Sequence, residues 1–424
     1  MQTIADQIYE EHARQAAFLW LLRDRAVVDP AYGLASLADL DDRLEAHLDG
    51  LRLGGDGGFA ACRDLLADPE GGEVFGAAVV AIDRWDLRGL ASVLDVGGEA
   101  PDLARGLASA LGWTSFAKVE QLLPGLLSSE VPPALHWLGI VACAAHRRDP
   151  GTALGYAVLS KDQAVRIRAL RAVGELGRMD LLSEVREALT AEDEPTRFWA
   201  AWSAALCGEE TPERVLWEIA GRDGPFATRA AATAMRRLPP RAGVEWVRAL
   251  AGRPGRAAFH AAAALGDPAL VPWLIEATST PLTARLAGFA VTMITGVDLG
   301  LEKLASKAPV GAGSGAAPEG DAAGPTDDPE DEDVSEDPDD GLPWPDRERV
   351  ERWWQGRAGD FQRGVRHLLG KPIAPDWLEV VLRRGSQPAR AAAAAELCVR
   401  RARRGLFEVR APAPQQRSLL TGRG

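Results

Sequence analysis

Apolar positions recur at a helical period along almost the whole chain. VRIRALRAVGELG (165–177), TRFWAAWSAALCG (196–208), ATRAAATAMRRL (227–238) and GRAAFHAAAALGD (255–267) are variants of one alanine-rich helix, repeated about every 30 residues. Leu176, Leu206, Met235 and Leu265 mark the same point in successive copies. Each copy turns into a second apolar helix: MDLLSEVREAL, PERVLWEIAG, AGVEWVRALAG and PALVPWLIEAT. In the third of these, Val244, Val247 and Leu250 make a stripe that needs a partner surface. A pair of this length cannot bury both its apolar faces alone, whereas stacked pairs share a continuous core. The pattern predicts an all-α fold, an α-solenoid of helix pairs.

The flanks read differently. In residues 1–58, Ser36 followed by Asp39 resembles a capping box. Beyond it Leu37, Leu40, Leu44, Leu48 and Leu51 keep one face apolar, while Asp41, Asp42, Glu45 and Arg52 keep the other wet. This predicts a helical cap on a solenoid of residues 59–308, whose looser first copies start near Glu73, with the glycine run Gly54–Gly58 as a flexible hinge. Residues 309–341 hold almost nothing large and apolar and are expected to be a disordered acidic linker. Residues 342–412 restore helix signals, and Ala395–Cys398 echoes Ala204–Cys207, so the repeat is expected to resume there. Residues 413–424 are left as a tail.

Composition sharpens the picture at two points. The apolar fraction of 46% in 424 residues excludes disorder throughout, and four scattered cysteines exclude a disulfide scaffold. The net charge of −13 is concentrated: twelve Asp or Glu and no Lys or Arg lie between Ala308 and Gly341, which leaves about −1 elsewhere. Overall charge therefore does not decide for or against a polyanionic partner. The first residues lack the basic region of a signal peptide and no run is long enough to span a membrane, so a cytoplasmic protein with no membrane partner is expected.

The candidate chemistry is thin. Gly54–Gly58 lacks the Lys-Ser or Lys-Thr of a phosphate loop, and Gly364 to Pro372 has misplaced glycines and a proline where a hydroxyl is needed. Asp337, Asp339, Asp340, Gly341 and Glu348 sketch a calcium loop that three prolines interrupt. No histidine pair has ligand spacing, although His12 and His47 stand where the fold can bring them together, and no serine or cysteine sits in a nucleophile motif. No cofactor, metal or catalytic residue is expected. Cys207 and Cys398 lie on alanine-rich stripes and read as buried thiols.

Tryptophan is the unusual excess, thirteen against three tyrosines. Trp217, Trp246 and Trp273 fall at related points of successive second helices, which reads as repeated packing ahead of a peptide-binding ladder. Trp353 and Trp354 are adjacent, about 100° apart on a helix, so one of them is a candidate contact residue. Arg166, Arg168, Arg171, Arg197 and Arg229 trace a possible basic strip on first helices. A HEAT-like DNA glycosylase would use such a strip with an aromatic residue and an acid, for which Trp199 and Asp193 stand nearby. Interleaved acids such as Glu175 and Glu194 favour ion pairs instead. Arg168, Arg197, Trp353 and Trp354 are the nominated partner contacts.

The arginine-bearing, alanine-rich first helices resemble HEAT repeats. EEHARQAAFLWLLRDRAV, LDDRLEAHLDGLR, LPWPD and SQPARAAAAAELC together resemble one uncharacterised bacterial HEAT-repeat family often encoded beside type VI secretion components. The resemblance implies an accessory role near a secretion apparatus, with a secretion component or effector as partner. The expected function is a non-enzymatic protein-interaction scaffold with no specific nucleic-acid partner. The alternatives are the glycosylase-like enzyme and an immunity-type binder of a toxic effector, and the oligomeric state is open.

Overall fold

The computed structural model describes residues 4–128, 130–209, 212–222, 224–253, 255–309, 337, 339–401 and 405–422. These residues fold as helices joined by short turns, with one two-stranded hairpin. The chain is an all-α solenoid of HEAT-like helix pairs, as the periodicity predicts. The described residues form two units, those within 4–176 and 407–422, and those within 177–309 and 337–406. Most of the expected linker lies outside the described residues.

In the first unit α1 (Ile4–Ala26) packs on α2 (Leu34–Leu53), on α3 (Asp56–Leu65) and on α4 (Gly71–Asp83). The five predicted leucines of α2 are at most 5% exposed. Each contributes about 1.5–3 kcal/mol relative to an exposed side chain. The helix starts two residues before Ser36: the Gly33 amide donates to Ser36 Oγ (2.9 Å), so Ser36 closes the first turn from within. The glycine run is no hinge. Gly55 (φ +56°) opens α3, and a Cβ on Gly58 would stand 2.0 Å from the Leu51 carbonyl oxygen. These glycines exist so that α3 can turn back directly against α2.

The unit continues through α5 (Leu87–Gly97), α6 (Pro101–Trp113), the single turns α7 (Phe116–Val119) and α8 (Leu123–Leu126), α9 (Pro133–Ala145), α10 (Thr152–Ala157) and α11 (Gln163–Leu176). α6 packs between α4 and α9, and α9 packs on α11. The supposed tail is not a tail: Ala413–Leu420 form a helix that docks on α2, with Ala413 buried against Leu34 and Ala38. Its anchor is Asp41, whose Oδ2 accepts the Ala413 amide at 2.7 Å.

The second unit holds α12 (Leu182–Ala188), α13 (Glu194–Leu206), α14 (Glu213–Ala220), α15 (Ala227–Met235), α16 (Pro240–Ala251), α17 (Ala257–Leu265), α18 (Val271–Ala277), α19 (Pro281–Thr295) and α20 (Arg347–Arg357). Strands β1 (His367–Leu368) and β2 (Lys371–Pro372) and helices α21 (Pro375–Arg384) and α22 (Gln387–Arg400) follow. With these, the helix of residues 413–420 is α23. The first helices α13, α15, α17 and α19 form one layer; α15 lies on α17 and α17 on α19. Alanines allow this approach: Ala200, Ala201, Ala204 and Ala205 of α13 are fully buried beside Leu206.

The C-terminal segment does not simply extend the stack. Its hairpin crosses the ends of α17 and α19, where the His367 amide donates to the Gly266 carbonyl (2.8 Å) and the Leu369 amide to that of Met293 (2.8 Å). Gly266 and Gly296 end these helices in the left-handed region (φ +71° and +73°), and a Cβ on either would strike the hairpin backbone. Arg366 donates to the carbonyls of Ala264, Leu265 and Arg236 and pairs with Glu396 of α22. α22 packs on α21 and reaches back to α13. The segment rejected as a phosphate loop is thus a strap over open helix ends.

Candidate functional site

The first unit gathers its buried charge into one cleft of about 80 Å³, whose walls come from α1, α4, α6, α11 and the strap Glu408–Pro412. Trp20, Arg23 and Asp24 share one face of α1 and are all under 10% exposed. Asp24 takes Arg105 of α6 bidentately, Nη2 to Oδ2 at 2.6 Å and Nε to Oδ1 at 3.1 Å, with Arg410 at 3.8 Å. Arg23 donates to Asp41 Oδ1 (2.8 Å) and the Ala411 carbonyl (3.0 Å), and its guanidinium lies 5.3 Å from the Trp113 ring. Trp113 in turn donates Nε1 to Glu45 (2.8 Å). Asp41, expected on a wet face, is therefore a buried double acceptor.

On α11, Glu175 accepts from Arg168 Nη1 (3.0 Å) and Arg171 Nε (2.8 Å). Burial alone would raise this carboxyl, but Arg168, Arg171 and Arg147 outweigh it and hold Glu175 well below the usual carboxylate range. Arg147, in the left-handed region at φ +53°, donates to Glu408 (3.0 Å). The strap is shaped from behind by Gln416, fully buried, which donates to the carbonyls of Val409 (2.9 Å) and Ala411 (2.6 Å). The result is a rigid bed of guanidinium groups beside an aromatic wall in which Phe75 stacks on Trp20 and meets Trp113 edge-on.

A second concavity in the same unit is apolar. Leu87 and Leu94 of α5, Leu107 and Leu111 of α6, Leu122 and Leu135 border a groove of about 210 Å³, and Leu87 is 52% exposed.

The structure redistributes the residues nominated from sequence. Arg168 is 1% exposed and held by Glu175, so it is no surface contact. Trp354 is 8% exposed and packs on Phe361. Trp353 is half-buried beside Arg357, and Arg197 is half-buried. None of the five arginines of the supposed strip is exposed, and Arg229 lies over the ring of Trp199, itself 1% exposed and unable to stack a base. Asp193 caps α13 through the Thr196 amide (2.8 Å). Trp217 and Trp246 touch with centroids 3.8 Å apart, both half-buried, while Trp273 stacks on Phe259.

His12 and His47 do meet, with their Nδ1 atoms 3.1 Å apart. Asp337 and Asp339 bind arginines in place of calcium: Arg285 donates to Asp337 (2.8 Å) and Arg256 to Asp339 (2.9 Å). Among the described residues no group of three or more His, Cys, Asp or Glu side chains is placed to hold a metal, and no helix is long and apolar enough to cross a membrane. All four cysteines are buried, and burial pushes the Cys62, Cys143 and Cys207 thiols up to about 12. Sequence reading missed Trp20, Arg23, Asp24, Arg105 and Arg410. Their only local signal is a charged pair inside the apolar run of α1.

Stacked helix pairs with alanine-rich first helices and buried arginines define a HEAT-like α-solenoid, a class whose repeats commonly present surfaces to other proteins. A family model for HEAT repeats matches residues 152–236. No curated protein matches the chain.

Proposed function

We propose that this protein is a non-enzymatic scaffold that holds a protein partner on the first unit. The observation that carries the reading is the leucine-lined groove between α5, α6 and the α8–α9 region, with Leu87 open to solvent. An amphipathic helix buries apolar anchors in such a groove. The HEAT-repeat match supports the same class of function. The resemblance of the N-terminal and C-terminal strings implies a cytoplasmic bacterial setting beside type VI secretion, with a secretion component or effector as the partner. An immunity-type binder is one form of that role. Trp353 and Arg197 remain proposed contacts on the second unit.

The test is affinity capture from the native host with wild-type protein and with Leu94→Glu, which places a charge in the groove. A defined partner held by wild type and lost by the variant is the expected result. Retention of every captured protein by the variant would remove the groove from the reading. The glycosylase-like alternative would be revived by release of a modified base from lesion-bearing DNA.

A further inference from the structure

Two histidines meet where α1 packs on α2, outside the lining of both concavities of the first unit. His12 and His47 are half-buried, with ring centroids 5.1 Å apart, planes tilted by 65° and Nδ1 atoms 3.1 Å apart. The close approach is built into α2. A Cβ on Gly50, on the turn after His47, would stand 2.7 Å from His12 Nε2, so the His12 ring occupies space that only a glycine leaves open. Between two Nδ1 atoms at this distance only one carries hydrogen, and the other presents its lone pair.

The same distance suits a metal ion. Two imidazole nitrogens about 2.0–2.1 Å from one ion, at an angle of about 90–109°, stand roughly 2.9–3.4 Å apart, which brackets the separation found here. The neutral ring is the form that binds, so the shared Nδ1 proton has to pass to Nε2 of its own ring. A neutral pair therefore takes up an ion with no net release of protons, and one tautomer is all that changes. Burial, and then His12, lower His47 below the usual imidazole range, which keeps it neutral at neutral pH. Of the flanking charges, Glu11 favours a cation at His47 more strongly than Arg43 opposes one.

Donor type narrows the ion. Imidazole suits Cu²⁺, Ni²⁺ and Zn²⁺, whereas Mg²⁺ and Ca²⁺ prefer oxygen. Among the described residues no third His, Cys, Asp or Glu side chain completes the set, so the remaining positions fall to water and the ion is exchangeable. We propose that His12 and His47 chelate one divalent late-transition-metal ion and that this ion clamps α1 to α2. The proposal stands apart from the scaffold reading above.

The probe is Cu²⁺ alone, titrated into the full chain at about pH 7.5, above the ordinary imidazole range, in a non-coordinating buffer. Pulsed electron paramagnetic resonance counts coordinated imidazoles through their remote ring nitrogens, and the first equivalent should sit on two. His12→Ala and His47→Ala should each reduce the count to one. Each should also weaken binding at least about tenfold, because losing a ligand costs no less than the roughly 10–100-fold of losing an outer-shell partner. Gly50→Ala keeps both ligands yet should weaken binding, since its Cβ displaces the His12 ring. His136→Ala, on α9, should change nothing. In thermal melts followed by circular dichroism, which also verify that each variant folds, Zn²⁺ should raise the midpoint of wild type and His136→Ala but of neither pair variant.

A first equivalent held through fewer than two imidazoles, or held equally well by His12→Ala and His47→Ala, would overturn the proposal and leave the pair as a hydrogen bond between helices. So would Mg²⁺ or Ca²⁺ displacing Cu²⁺ as well as Zn²⁺ does, since charge and not imidazole would then hold the ion.

Discussion

Asp41→Ala is the substitution that tests the architecture of the first unit most directly. Asp41 is 3% exposed and accepts from Arg23 Nε at 2.8 Å and from the Ala413 amide at 2.7 Å. Removing the carboxylate leaves Arg23, 8% exposed, with the Ala411 carbonyl and the Trp113 ring as its partners among the described residues. Breaking a buried pair from one side costs about 3–5 kcal/mol, and a buried amide without an acceptor costs a further 1–3 kcal/mol. Some relaxation is certain, so the expected loss is about 5 kcal/mol, a large share of the stability of any domain. Asp41→Asn keeps an acceptor and should lose about half as much.

The assay is urea unfolding combined with hydrogen exchange, because the loss should appear first as faster exchange in α23. In a chain ending at Leu406 the Ala413 amide is gone, so the same substitution should cost less by the amide contribution. A loss below about 1 kcal/mol for Asp41→Ala, or unchanged protection in α23, would refute the reasoning.

Leu206, 2% exposed in α13, should tolerate Met at a cost under about 1.5 kcal/mol, whereas Leu206→Asp should lose several kcal/mol in a thermal melt. Gly58→Ala should lose about 2 kcal/mol or more against the Leu51 carbonyl, while Gly76→Ala in α4, with open space at its Cβ, should be neutral or slightly stabilising by the same measurement. Burial, aided by Arg256 and opposed by Asp339, pushes His260 from 6.5 down to about 4. The unfolded chain thus binds the proton first, so stability should fall as pH drops from about 6.5 to 4, by about 2–3 kcal/mol once partial solvent contact is allowed for. His260→Gln should flatten that slope in melts at successive pH values.

What could be read from sequence was what repeats. Alanine-rich first helices carry their pattern locally, so the solenoid and the burial of Leu206, Met235 and Leu265 were legible. The docked α23 is not, because APQQRSLL offers few apolar residues, Ala413 and Leu420 among them, and its polar hold includes Asp41, far away in sequence. The arginines of α11 read from sequence as ion-paired with interleaved acids, Glu175 among them, but nothing local to the segment shows that the pair is buried, since arginine seldom is. The cleft draws on α1, α6, α11 and the strap, and no spacing within one segment announces such a meeting.

Arg23 and the carbonyl it holds at Ala411 are separated by 388 residues. At about 5–20 residues per second, α1 leaves the ribosome roughly 20–80 s before its last partner is made. During that interval the buried faces of α1 and α2 lack α23, and the second unit is synthesised in between. Closing so long a loop carries an entropic cost of about 5 kcal/mol by chain statistics, unless intervening helices have already brought the segments together. The first unit to begin folding is therefore the last to finish, and a ribosome stalled near residue 400 would release a chain with repeats formed and its opening pair unsealed.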